Sequence, residues 1–143
     1  MKKILGIVVL GLILTSNAYA KSVVSKKLLC KTVKNNLKFE RGLYFVNSKT
    51  VIEYSEPLYY AGMPIEKYKT YHEKYKYRTS LEYIFIWRKG QETVFDLHRS
   101  TLNYSRFGKE YECALVNKGF NFDSYFQEKI DLYIKNIKSN RKL

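Results

Sequence analysis

Two cysteines and two histidines are all this chain offers for thiol, imidazole or metal chemistry. Cys30 and Cys113 stand 83 positions apart with no CxxC pattern. One structural disulfide is therefore the expected pairing, since a catalytic thiol would be consumed by it. Closing a loop that long is worth roughly 4 kcal/mol in the chain-entropy model. His72 and His98 are too few for a metal site, which needs three or four ligands. Asp96 shares a strand face with His98, but no third ligand joins them. There is no P-loop, GxSxG or HExxH. Glu82, Asp96, Glu110 and Glu112 fall on predicted strands at positions where an outward, solvated charge is ordinary, and that reading is preferred over acid–base catalysis. No catalytic residue, metal or cofactor is expected, and the protein is read as a non-enzyme.

The elements that must position these residues are short strands. Leu81 to Cys113 reads as four of them. Tyr83, Phe85 and Trp87 alternate with Ile84 and Ile86, so this strand is expected to be buried on both faces. Arg88 to Gln91 forms a turn around Gly90. Glu92 to Leu97 follows, with Thr93, Phe95 and Leu97 on one face. His98 to Ser100 connects to a strand over Thr101 to Ser105, and Arg106 to Lys109 is a second glycine turn. Tyr111, Cys113 and Leu115 close the run on one face. Strands at this spacing predict an antiparallel meander, because parallel strands need longer crossovers.

Upstream, Leu28 and Cys30 mark the first strand, and Asn35-Asn36 a turn. Leu37 to Glu40 is interrupted at Gly42. Leu43 to Val46 and Val51 to Tyr54 form a hairpin across Asn47 to Thr50. Ser55 to Pro64 contains both prolines, Pro57 and Pro64, and is a loop. Its tyrosines Tyr59 and Tyr60 either cover one end of the core or contact a partner protein, and the first reading is preferred. Ile65 to Tyr77 fits a helix through Tyr68, Tyr71 and Tyr75 and a strand through Tyr75 and Tyr77; a strand over Tyr71 to Arg78 is expected. Phe122, Phe126, Ile130, Tyr133 and Ile137 form one helical stripe, so a helix runs from about 121 to 140 and packs outside the sheet. Ser124 and Gln127 have capping-box spacing. The fold class is mostly β (α+β): a small antiparallel sheet curled into a barrel or a two-sheet sandwich, with one C-terminal helix.

Met1 to Ala20 has the anatomy of a secretory signal peptide: Lys2 and Lys3, an apolar run from Ile4 to Leu14 too short to span a bilayer, and Ala18-Tyr19-Ala20 at the cleavage site. Residues 21–143 then form one disulfide-stapled β-domain without a transmembrane helix, in the periplasm or outside the cell. Cleavage removes two of the 26 cations and none of the 13 acidic residues, lowering the formal charge from +13 to +11.

That charge is clustered. Lys67, Lys74, Lys76 and Arg78 interleave with tyrosines; Arg88-Lys89 and Arg106 with Lys109 sit near predicted turns; Lys135 to Lys142 end the helix. If alternate turns of a meander share one end of the sheet, Arg88, Lys89, Arg106 and Lys109 come together. Interleaved cations and aromatics suit nucleic acid, but export disfavours that partner. Anionic lipid, lipopolysaccharide or acidic glycan are the expected ligands, with generic surface charge as the alternative.

Tyr83 to Val94, YIFIWRKGQETV, with a cysteine downstream, resembles the last hairpin of the membrane-bound and periplasmic C-type lysozyme inhibitors. The resemblance covers about a dozen residues and implies a small disulfide-closed envelope β-barrel. It implies as a second function an inhibitor or binding module for another envelope protein. The family's inhibitory Ser-Gly-x-x-Tyr motif is missing: Arg78-Thr79-Ser80-Leu81 stands near its place without the glycine. Such inhibitors also target a basic enzyme, which long-range repulsion from this cationic chain would oppose.

Overall fold

A computed structural model describes residues 23–33, 39–56 and 64–141. The expected signal peptide, the expected turn at Asn35-Asn36 and the expected loop with Tyr59 and Tyr60 lie outside the described residues. Eight strands form one antiparallel sheet: β1 (Lys27–Thr32), β2 (Glu40–Phe45), β3 (Thr50–Ser55), β4 (Tyr71–Thr79), β5 (Tyr83–Trp87), β6 (Thr93–His98), β7 (Asn103–Arg106) and β8 (Lys109–Val116). Their order is β6-β5-β4-β3-β2-β1-β8-β7. The sheet curls until its edges, β6 and β7, meet, giving a nearly closed barrel. The helix α1 (Phe122–Asn140) follows.

The barrel closes differently from a simple meander. β1 and β8, first and last in the chain, pair in full register and place Cys30 opposite Cys113, which form the disulfide. The consecutive strands β6 and β7 share no ladder. Their seam is bridged by side chains instead: Phe95 of β6 stacks on Tyr104 of β7 at 4.5 Å, and Tyr104 in turn stacks on its ladder partner Tyr111 of β8 at 4.7 Å. Face-to-face aromatic contacts can bridge strands that lack backbone pairing.

Alternation decides the inside. Leu28, Cys30, Leu43, Phe45, Val51, Tyr75, Tyr77, Ile84, Ile86, Phe95 and Leu97 fill the barrel. In β5 only Ile84 and Ile86 are buried, while Tyr83, Phe85 and Trp87 turn outward and stay at least partly accessible. The expectation of two buried faces fails because, among the described residues, no helix or second sheet covers the outside of this wall. The tyrosine-rich segment resolves into a short 3-10 turn at Ile65–Lys67 followed by β4, so the strand reading holds, and Tyr68, Tyr71 and Tyr75, which fit helical spacing, all lie outside the turn.

Gly42 does not interrupt its strand. It sits within β2, where a Cβ would run into the Phe122 ring. The missing side chain lets α1 lie close against the outer face of β2 and β3, burying Phe122, Phe126 and Ile130. Phe122 stacks on Tyr54 at 5.2 Å. Tyr133 is 42% exposed, with its ring stacked 6.5 Å from that of Tyr68. The helix is capped by Asn121, whose Oδ1 accepts from the Ser124 amide at 3.0 Å. The Ser124–Gln127 capping box does not form; Gln127 Oε1 accepts from the Thr70 amide at 3.3 Å.

Candidate functional site

The up-and-down order sends alternate turns to opposite ends. The β5–β6 and β7–β8 turns share one end, as the meander argument required. The four cations do not form one open cluster there: Arg88 and Arg106 converge on Tyr75, each guanidinium 5.7 Å from its ring centre, while Lys89 and Lys109 lie outside that contact. Arg88 pairs with Glu73 at 2.7 Å, and Lys89 is exposed beside it. Lys109 lies 3.4 Å from the centre of the Phe39 ring. Arg106 is not on the turn, which is Phe107-Gly108 alone; it ends β7 with its side chain inside the barrel, 8% exposed.

Arg106 belongs to a group that the sequence did not reveal. Arg106 Nη1 donates to Glu53 Oε2 at 2.5 Å, and Arg41 Nη1 donates to Glu53 Oε1 at 2.7 Å. Arg106 also donates to Tyr75 Oη at 3.2 Å, and Tyr75 donates to Glu73 Oε2 at 2.8 Å. Glu53 is 1% exposed and Arg41 4%. One carboxylate thus serves two guanidiniums inside the barrel. Arg106 Nε and Tyr104 Oη are the buried side-chain atoms without a hydrogen-bond partner among the described residues. The group therefore has more donors than acceptors and an excess positive charge. Burial, with the Glu53 carboxylate nearby, pushes the Tyr104 phenol well above its ordinary value, so it stays neutral.

The remaining candidates separate cleanly. Lys74, Lys76 and Arg78 alternate with inward-facing Tyr75 and Tyr77, and so form an exposed row along the outside of β4. Residues two apart on a strand lie about 7 Å apart. Beside this row runs the outer face of β5. Lys76 pairs with Trp87 and Arg78 with Phe85, and the Arg78 guanidinium lies 5.0 Å from the Phe85 ring centre. The tyrosines that alternate with these cations in sequence point into the barrel. The aromatics that share their surface come from the next strand. Lys67 stands apart, exposed in the 3-10 turn.

Asp96, Glu110 and Glu112 are exposed, and with His98 they line a cleft of about 640 Å³ along the β6–β7 seam. Glu82 lies in the β4–β5 turn rather than on a strand. Among the described residues no three His, Cys, Asp or Glu side chains are placed to hold a metal, and no helix is long and apolar enough to cross a membrane.

Fold and surface together define a small disulfide-clipped β-barrel with an ionic interior at one end and a cationic–aromatic outer face. Comparison with protein-family models, curated proteins and solved structures gives no match for this chain.

Proposed function

We propose that this protein is an exported, non-enzymatic binding module that docks on anionic lipid headgroups of the envelope through the outer face of β4 and β5. The observation that carries this reading is the exposed row Lys74, Lys76 and Arg78 beside Tyr83, Phe85 and Trp87. A cation near an anionic leaflet contributes about 1 kcal/mol. Aromatic rings suit the headgroup layer because one end is apolar and the other tolerates water. β8 lies across the barrel from this face, and its outward Glu110 and Glu112 would favour the orientation that turns β4 and β5 toward the surface. Lipopolysaccharide phosphates and acidic glycans share the headgroup chemistry, and competition with each separates the sources.

Trp87, the single tryptophan, stands in the proposed contact and reports on it. Vesicles with anionic lipid should sediment with the protein and shift Trp87 emission to the blue, whereas neutral vesicles should do neither. Binding should weaken steeply with salt, since exposed charges are screened within about 10 Å at ~0.1 M. Lys74→Glu/Lys76→Glu/Arg78→Glu should abolish it without unfolding the barrel. Equal binding to neutral vesicles, or binding indifferent to salt, would overturn the proposal.

A further inference from the structure

The barrel end opposite the ionic group holds a cavity of about 790 Å³. It is formed where β1 begins, where β2 and β8 end, and where the β4–β5 and β6–β7 turns meet. Its floor is Leu28, Phe45 and Ile84, all nearly inaccessible. Its rim carries Leu81 and Leu115, which are 77% and 59% exposed. Exposed leucines around an apolar hollow leave hydrocarbon surface in water that a ligand chain would remove. The volume lies within the range of small-molecule sites, roughly 300–1,000 Å³, and barrel mouths are a recurrent place for them.

The polar groups around the mouth narrow the ligand. Lys26 and Arg99 line it with one carboxylate, Glu82. Arg99 donates to the Ser80 carbonyl at 2.6 Å, which fixes its charge at the rim. Two cations against one carboxylate favour a singly charged anionic headgroup over a neutral or zwitterionic one.

We infer that this cavity takes the hydrocarbon chain of a single-chain amphiphile with a carboxylate headgroup, chain inward and carboxylate at Lys26 and Arg99. The site is separate from the β4–β5 face, and each stands without the other.

The test is titration of the protein with the fluorescent fatty acid cis-parinarate. Saturable binding of one probe per protein, competed by palmitate, is expected. Palmitate methyl ester should compete about tenfold less well, the scale of one lost charge-assisted contact. Leu81→Glu/Leu115→Glu places carboxylates at two exposed rim positions, where folding has little to lose, and should weaken the probe by at least about tenfold. Lys26→Glu alone should weaken palmitate while sparing the methyl ester. The β4 triple charge reversal should bind parinarate like wild type, which separates this site from the proposed surface. Unsaturable uptake, or wild-type affinity in the double rim variant, would overturn the cavity assignment. Equal competition by acid and ester would overturn the carboxylate.

Discussion

The two ends of the barrel interior have opposite chemistry, though the same alternating strands build both. At one end Arg41, Glu53, Tyr75 and Arg106 fill the lumen and bind one another. At the other, Leu28, Phe45 and Ile84 line an open hollow with leucines at its rim. A buried ion group satisfies its members mainly through each other, so it works as a plug. An apolar wall has no such internal partner and can remain open to a ligand. The difference teaches that an inward position fixes burial but not content, and that content separates a sealed end from a receptive one.

The largest expected effect comes from breaking the plug. Glu53→Ala leaves two guanidiniums buried without a carboxylate and should cost about 3–5 kcal/mol in urea unfolding. Arg106→Met should cost less, because Arg41 and Glu53 remain paired. Replacing Arg41, Glu53 and Arg106 together by apolar residues of similar volume should recover most of the Glu53→Ala loss. If Arg106→Met proves the worse variant, the excess-charge account is wrong.

A smaller effect sharpens the same comparison across one peptide bond. Glu40 precedes Arg41 but faces outward, where Lys129, Tyr125 and Lys31 bind it. Burial works against its charge, yet these three partners outweigh burial and hold its pKa below the ordinary 4.5. A depressed carboxylate contributes stability above its unfolded pKa and loses it as pH falls through the folded value. Glu40→Gln should therefore be less stable than wild type at pH 7, with the gap closing below about pH 4.5 as both are followed by thermal unfolding. A gap constant across that window would show that Glu40 acts through packing rather than charge.

The smallest effect belongs to the open end. Leu81→Ser, at a 77% exposed position, should move stability by no more than about 0.5 kcal/mol. A larger loss in denaturant titration would mean that Leu81 already packs against the protein, which would remove the motive for a ligand there.

Much of the fold was legible because it rests on local periodicity. The strand over Tyr71 to Arg78, the stretch from Tyr83 to Leu97 and the helix from about 121 to 140 were each written in the spacing of apolar residues. The cysteine pair also showed which strands must meet. The candidate surface was half legible: the cations of β4 were visible as a row, but their aromatic neighbours were assigned to the wrong strand. Tyr75 and Tyr77 alternate with the cations and so must face the other way, whereas β5 supplies Trp87 and Phe85 through register. Arg106 was misplaced because a charge two residues before a glycine reads as part of the turn, whereas the turn is Phe107-Gly108 alone.

By itself the sequence determined the β class, the disulfide, the cationic character and the docking stripe of α1. All four follow from residue type and spacing within one segment or from a count. Tertiary structure alone decided that the unladdered seam of the barrel falls between the consecutive strands β6 and β7. It alone joined Arg41, Glu53 and Arg106, which are twelve and more residues apart, and it alone left one end of the barrel hollow. Those outcomes depend on register and closure, which bring distant residues to one level of the barrel, and no local period in the chain encodes which residues will share that level.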